Sequence, residues 1–550
     1  MNAWAGIAAA CRAGHDAYRA ALGDPGAAQA ARLREILRAN AQSDAGRRYG
    51  FADLHDWDAY RTAVPVASYA DIAGDVERMA AGEPGRLTCA PAVAFEVTSG
   101  SGATAKLVPY TAAGLAGFRR AIEPWLFDLL QSRPRIALGR AYWAISPVGR
   151  RTSRPAPGAT IDLGNDVQYL GSTLAPLLAA VLAVPLSLGR MSDVEAWRYR
   201  LLLYLLQAED ISFISVWSPT FLLPVLDLLR QEGDRLACDL ERGTCSWPTS
   251  DPGAPAARFD ARPQRARALR GALSAARLDV TALWPRLDTL SCWTHASAAR
   301  YLGDIEHCMP GVSIQGKGLL ATEAAVTVPL AEFEYPVLAI DSACYEFIDE
   351  AGTSRLAHEV DAGRLYRVVV TTDSGLYRYD LADTVRVRGF AQRTPMLEFV
   401  GRAGLVSDLC GEKLAEDFVA GALGGLRGFA MLAQDSPRER RYVLLLDAGE
   451  YDELAATGAA LNVEDRLRLN PHYAYARRLG QLAPLAAARV RDPLAGMVAL
   501  GLARGRRLGD IKPLALEPSA DWLDHFAVVP VSGAHPAPAR AVTRATGVTP

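Results

Sequence analysis

Residues 96–111 read EVTSGSGATAKLVPYT: hydroxyl side chains and two glycines run up to a lysine, with a short apolar segment on either side. A phosphate group requires several hydrogen-bond donors converging on a small volume. Glycines permit this because backbone N–H groups can approach without a Cβ in the way. Thr98, Ser99 and Ser101 add hydroxyl donors around Gly100, and Lys106 adds a point charge. The spacing is not that of the nucleotide loop G-x-x-x-x-G-K-[ST], because no Ser or Thr follows the lysine and the hydroxyls precede it. A kinase-like or GTPase-like site is therefore not expected. A Gly/Ser run is also the composition of a plain surface turn, so its reading depends on what surrounds it.

Upstream, AAQAARLREILRANAQ carries Ala, Leu and Arg at helical spacing, and the chain before Val93 is expected to be helical. Downstream, short apolar strands such as AVAFEV and RIAL alternate with longer helical stretches such as VEAWRYRLLLYLLQAE. That alternation predicts a mostly parallel sheet covered by helices, an α/β fold. DISFISVWSPTFLLPVLDLLRQ reads as a buried strand running into a helix that starts at Ser218 or Pro219. Between Arg364 and Phe399, RLYRVVVTT, GLYRYD and TVRVRGF read as antiparallel hairpins, and Val385 and Val387 alternate with Arg386 and Arg388 so that one face is wet. GRAGLVSDLCGEKLAEDFV turns from loop to helix and places a domain junction at Arg402 to Gly411. The final stretch, VSGAHPAPARAVTRATGVTP, is small, Pro-rich and without aromatics, and is expected to be disordered.

A chain of 550 residues is long enough for two to four folded units with sizeable cores. Hydrophobic content of 50% and charged content of 22% are ordinary for a soluble enzyme. A net charge of -2 with no basic stripe argues against nucleic-acid binding by counterion release. The eight cysteines form no CxxC pair and have no histidine at zinc-ligand spacing, so reduced thiols in a cytoplasmic protein are expected. MNAWAGIAAACRAGHDAY lacks the basic residues that precede a lipoprotein signal's apolar stretch and reads as an N-terminal helix. The apolar run Leu174 to Leu188 is short and broken by Pro176 and Pro185, so no membrane span is expected.

Three further clusters bear on function. GKGLLATEAAV sets Thr322 and Glu323 side by side where a strand is expected to end. YRYDLADTV puts Asp383 in a turn between two strands, and Arg402 follows in FVGRAG. A carboxylate and an arginine suit the two ribose hydroxyls of a nucleotide, the first accepting O–H bonds and the second donating. Lys512 stands far along the chain in RLGDIKPL. Taken singly each cluster is a weak signal, since an Asp in a turn and an Arg on a surface are structural more often than not.

Taken in order they form a series: TSGSGATAKLVPYT, ISVWSPTFL, SCWTHASAARYL, IQGKGLLATE, GLYRYDLADTVRVRGF, PMLEFVGR and GDIKP, spread from Thr98 to Pro513. On these blocks the chain resembles the acyl-adenylate-forming enzymes. Within them it is most similar to the acyl acid amido synthetases of the Gretchen Hagen family, the auxin-responsive promoter family, in its bacterial type. The resemblance implies a large N-terminal domain over residues 1–402, with mixed β-sheets, helices and a distorted β-barrel. It implies a hinge at 403–411 and a small, mobile α+β domain over 412–530, ahead of the tail 531–550.

The resemblance also implies roles. Thr98, Ser99, Gly100 and Ser101 with Lys106 would line the ATP phosphates. Thr322 and Glu323 would meet the adenylate and Mg²⁺, Asp383 and Arg402 would bind the ribose, and Lys512 would reach in from the small domain. Lys512, Lys106 and Glu323 would be the catalytic residues. The chain departs from the wider pattern in two places. Gly404 stands where an acidic hinge residue is usual, and Leu319 and Leu320 stand where many plant members have an adenine-stacking aromatic.

The implied reaction follows from charge. A carboxylic acid attacks the α-phosphate of ATP and pyrophosphate leaves. An amine, the expected donor being an amino acid, then takes the acyl group and AMP leaves. Fixed cations and N–H donors serve the first step better than a general base would, because negative charge accumulates on the non-bridging oxygens. For the acid, the aromatic and apolar candidates are Phe118, Ile122 and Trp125 on the helix after the loop, with Trp143, Tyr169 and Trp217; the competing reading of each is plain core. A monomer that binds small molecules, and neither nucleic acid nor membrane, is expected. Two alternatives stay open: an acyl-CoA or carrier-thiol ligase sharing the adenylation step, and a non-catalytic nucleotide or acyl-ligand binder.

Overall fold

The computed structural model describes residues 2–98, 106–144, 160–161, 169–255, 259–275, 278–402, 405–436, 439–506 and 508–529. The chain ahead of the first strand is helical, as its Ala- and Leu-rich spacing predicts: Ala3–Ala21, Pro25–Asn40, Asp44–Tyr49, Trp57–Ala63 and Tyr69–Ala80. Polar residues start these helices by accepting otherwise orphaned N–H groups; Asn2, Asp24, Ser43 and Asp56 each do so with the side chain, and Ser68 forms a capping box with Asp71. Strands Ala92–Thr98 and Lys106–Thr111 then pair antiparallel, with Thr98 opposite Lys106. Ser99, Gly100 and Ser101, and the 531–550 tail, lie outside the described residues.

The helix Ala112–Ser132 leads into a four-stranded sheet of Arg140–Trp143, Ile211–Ser215, Thr289–Cys292 and Ser313–Gly316, side by side in that order and all parallel. Ile211–Ser215 is buried along its whole length, as a strand covered on both faces should be. It runs into the helix Pro219–Gln231, where Ser218 caps and Pro219 takes the first position, as the sequence predicts. RIAL is not a strand. Pro134 sets φ for a 3₁₀ turn over Pro134–Leu138, and the strand begins only at Arg140.

Among the described residues, only this sheet is wholly parallel. The strands from Cys344 to Arg402 follow one another without a helical crossover, so they pair antiparallel. They form a seven-stranded sheet ordered Ser354–Leu356, Cys344–Ile348, Leu365–Thr371, Tyr379–Ala391, Thr394–Arg402, Val337–Leu338, Thr327–Val328. Among the described residues this sheet is open, and no closed barrel forms. Val385 and Val387 are fully buried while Arg386 and Arg388 reach solvent. Asp383 is not in a turn. It sits inside the strand Tyr379–Ala391, because a bulge with Ala382 at φ 59°, its N–H bonded to the Asp380 carboxylate, absorbs the irregularity without ending the strand.

The C-terminal part is a five-stranded sheet ordered Leu516–Glu517, Ala430–Ser436, Glu439–Asp447, Ala486–Arg491, Ala527–Val529. Its central strands are apolar on both faces. Leu432, Leu444 and Leu446 pack under Val463 and Leu467 of the helix Glu453–Leu467. The alternate residues Met431, Ala433, Val443 and Leu445 join the core that surrounds the parallel sheet. Among the described residues no helix is long and apolar enough to cross a membrane. All eight cysteines are free thiols.

Candidate active site

Every strand of the parallel sheet delivers a side chain to one cavity of about 390 Å³. Trp143 closes its strand, Trp217 lies two residues past Ser215, and Trp293 and Lys317 directly follow Cys292 and Gly316. This is the crevice beyond the carboxyl ends of the strands, where α/β sheets bind ligands. The ladder continues past the strand ends: the Trp293 N–H donates to Trp217 O at 2.8 Å and the Lys317 N–H to Cys292 O at 2.9 Å. The floor is thus held by the sheet itself. Gly316 is required there, since a Cβ would stand 2.5 Å from Thr294 Oγ1.

Two aromatic groups line the cavity. Tyr110, Phe118 and Tyr169 form one, with ring centroids 5.4–5.7 Å apart. Trp125, Trp143 and Trp217 form the other around Lys317, whose Nζ lies 4.8, 5.4 and 5.3 Å from the respective centroids. Lys317 is only 4% exposed and donates to Ser215 Oγ at 2.7 Å. Trp125 is fixed in turn by its indole N–H on Gln315 Oε1 at 2.9 Å. Phe118, Ile122 and Trp125 all face the cavity because they are spaced four and three apart on one helix.

Polar residues line the cavity as well. Thr322 and Glu323 occupy the bend that follows the sheet's last strand; the Tyr110 hydroxyl donates to Thr322 O, and the Tyr379 hydroxyl lies 3.5 Å from Glu323 Oε1. Asp383 faces the cavity from its strand, directly across the ladder from Arg402. Of Arg402 the strand position is described and the side chain is not. The C-terminal part adds Glu416 and Asp417 on the helix Glu416–Ala422, then Arg504, Arg506 and Lys512. Lys512 holds its Nζ 4.5 Å over the Trp293 ring. Burial lowers the pKa of His295, which also lines the cavity and is neutral at pH 7. Burial raises the Cys292 thiol to about 12, so it stays protonated and is no nucleophile.

Of the residues singled out by sequence, Thr322, Glu323, Asp383, Lys512, Phe118, Ile122, Trp125, Trp143, Tyr169 and Trp217 all line this cavity. Lys106 is not among the lining residues; it opens its strand across from Thr98, with Nζ 5.4 Å over the Tyr69 ring. Of Thr98 only the backbone is described. The sequence reading passed over Lys317, Trp293 and His295. All three lie in the blocks IQGKGLLATE and SCWTHASAARYL, and the usable signal was position, the residues just past a short buried strand.

The GH3 family N-terminal domain matches residues 15–314 and the GH3 family central domain matches residues 336–402. Probable indole-3-acetic acid-amido synthetase GH3.6 of Oryza sativa subsp. japonica is 30% identical over 251 residues, 42% of this chain and 49% of that protein. In that match the chain spans about half the relative's length. Probable indole-3-acetic acid-amido synthetase GH3.12 of the same organism is 27% identical over 450 residues, 70% of each chain. The solved GH3.15 acyl acid amido synthetase superposes with a TM-score of 0.79 at 21% identity, covering 92% of this chain and 95% of that one. The 2-hydroxyisobutyryl-CoA ligase in its postadenylation state superposes with a TM-score of 0.51 at 14% identity, covering 84% and 85%. The fold is that of adenylate-forming enzymes, and the chain belongs to the GH3, or Gretchen Hagen, family of acyl acid amido synthetases.

Proposed function

We propose that this protein is an ATP-dependent ligase that activates a carboxylic acid as its acyl-adenylate and passes the acyl group to the amine of an amino acid, releasing AMP. The observation that carries the reading is one cavity lined both by the aromatic residues at the carboxyl ends of the parallel strands and by Thr322, Glu323, Asp383 and Lys512.

In this reading the aromatic floor holds the acid, and its low polarity strengthens every charge interaction made nearby. The Asp383 carboxylate, opposite Arg402, accepts the ribose hydroxyls. The loop 98–101 with Lys106 holds the phosphates. The segment Trp293–Ala296 with Leu319 and Leu320 flanks the base. Lys512 stabilises the charge that builds on the α-phosphate oxygens as the acid's oxygen attacks and pyrophosphate leaves. In the second step the neutral amine attacks the acyl carbonyl and AMP is expelled.

Among the described residues no cluster of three or more His, Cys, Asp or Glu forms a ready-made metal cage. A lone carboxylate is nevertheless what Mg²⁺ requires when phosphate oxygens and water complete its octahedron, and Glu323 fits that part. Bound Mg²⁺ would neutralise phosphate charge.

The supporting organisation is a large unit of residues 1–402, a hinge at 403–411 and a small unit of 412–530, acting as a monomer in the cytoplasm. The test is pyrophosphate release across a panel of carboxylic acids, then each active acid paired with the twenty amino acids and the products weighed by mass spectrometry. Acid-dependent pyrophosphate with amide product supports the reading. Pyrophosphate with a product only from coenzyme A moves it to a thioester ligase, and no pyrophosphate with any acid overturns it.

A further inference from the structure

Lys512 and Trp293 are brought together by tertiary structure alone. Trp293 directly follows the parallel strand Thr289–Cys292 and Lys512 belongs to the C-terminal part, yet the Lys512 Nζ stands 4.5 Å from the centroid of the Trp293 ring. An ammonium at that distance over an indole face is attracted by the ring's quadrupole. The attraction is not a hydrogen bond, so it does not compete with donation from the same ammonium to a phosphate oxygen.

Both partners are seated on fixed backbone. The Trp293 N–H donates to Trp217 O at 2.8 Å, and the two indoles lie 5.7 Å apart. On the lysine's side, the Arg504 guanidinium bonds both oxygens of the buried Glu517 at 2.9 and 3.0 Å, and Ala515 O accepts from the Leu432 N–H at 2.8 Å. Ile511 packs so closely on Gly501 that a Cβ there would stand 2.7 Å from its side chain. What the backbone does not settle is the four-carbon stem of Lys512, whose many rotamers would spread the charge over a wide volume.

Resting on the adenylation reading, in which Lys512 meets the α-phosphate, we infer that Trp293 is a positioning residue: its indole face gathers the Lys512 ammonium into the cavity, where an arriving phosphate meets it already in place. A charge set before the reaction needs no reorganisation during it. The role belongs to the ring face rather than to bulk. Trp293 also lines the cavity, so any contribution it makes to holding ATP or acid appears in KM, whereas the placing of Lys512 appears in kcat.

The test is a double-mutant cycle on the intact protein, read by acid-dependent ATP–pyrophosphate exchange at saturating ATP and acid. Trp293→Leu should lower kcat at least about fivefold, a size that an ammonium on an indole face supplies. Trp293→Phe, which loses bulk but keeps a ring face, should recover part of that. In the Lys512→Ala background, Trp293→Leu should change kcat by less than about twofold. A second readout needs no turnover. The chain has lysine at 106, 317, 413 and 512 and nowhere else, so limited acetylation can be followed residue by residue, with the exposed Lys413 as reference. Relative to Lys413, Lys512 should be acetylated at least about twofold faster in Trp293→Leu than in wild type. Trp293→Met takes the place of Trp293→Leu should that variant not fold. An equal loss of kcat in both backgrounds, a loss confined to KM, or Lys512 labelling that the substitution does not move overturns the inference and leaves adenylation standing. Near-normal exchange in Lys512→Ala removes the lysine's role and the inference with it, and no pyrophosphate with any acid of the wider panel overturns the adenylation reading itself.

Discussion

Replacing Lys512 with alanine isolates the contribution of one charge. Lys512 is exposed to the cavity, but its neighbours are not: Ile511 and Pro513 are buried, and Ala515 O accepts from the Leu432 N–H at 2.8 Å. Truncating the side chain therefore leaves its backbone anchored, and the stability change should stay within about 0.5 kcal/mol, as for surface substitutions generally. Catalysis should respond much more. A unit charge about 4 Å from a phosphoryl oxygen, at an effective dielectric of about 20, interacts by ~4 kcal/mol. Only the charge gained on going to the transition state counts toward rate. If two-thirds of the interaction develops there, the barrier rises by about 2.7 kcal/mol and the rate falls about 10²-fold. The assay is acid-dependent ATP–pyrophosphate exchange, with thermal unfolding measured in parallel and Lys512→Arg as the charge-retaining control. Near-normal exchange in Lys512→Ala would refute the reasoning, because the loss should appear in the first half-reaction and not in amide release.

Asp383→Ala should raise the KM for ATP at least tenfold with little change in melting temperature; a collapsed melt with unchanged nucleotide affinity in the folded fraction would make Asp383 structural. Glu346→Gln should cost about 3 kcal/mol in urea unfolding, because both Glu346 oxygens receive buried bonds from Arg378, at 2.9 and 2.8 Å, and losing one charge strands the other. Burial raises the Asp341 carboxyl to about 6, against the charges of Arg120 and Arg32. The folded state then holds that proton more tightly than the unfolded chain, so this group's contribution falls as pH rises from about 4 to 6. Asp341→Asn should therefore be more stable than wild type at pH 8 and gain nothing at pH 4, which chemical denaturation at both pH values checks. Strands Ala430–Ser436 and Glu439–Asp447 are covered on both faces, so their amides should stay protected from hydrogen exchange whether or not ATP and acid are present; faster exchange with ligand would mean that the sheet lifts away.

Local signals made the fold legible where one principle dominated. Ser218–Pro219 marked a helix start because a capping hydroxyl followed by proline has little other use. Val385 and Val387 marked a strand because only one face of it is buried. RIAL failed because four apolar residues carry no period, and Pro134 decided in favour of a 3₁₀ turn. Composition alone places Asp383 in a turn, because it cannot distinguish a loop from a bulge inside a long strand. At the site, aromatic residues near the loop were legible as a group. The Lys317 cage was not, because its three tryptophans come from a helix and two different strand ends that only the parallel pairing brings together.

The alternation in RYVLLLD has a consequence for how the cavity can change shape. A strand apolar on one face could serve a lid that swings freely, but here Met431, Ala433, Val443 and Leu445 face the core around the parallel sheet while Leu432, Leu444 and Leu446 join the cluster under the helix Glu453–Leu467. Each large apolar side chain among the first four contributes about 1.5–3 kcal/mol by staying out of water. Lifting that face away would cost more than a single ligand's differential binding ordinarily supplies. Any motion that withdraws Lys512 between the two half-reactions must therefore slide the sheet along an apolar surface that stays covered, or be confined to the segment after Ala503 that carries Arg506 and Lys512. The second is the smaller change, since Arg504 is tied by its guanidinium to Glu517 and Ser519 on the same side of the cavity and can hold the ends of that segment in place.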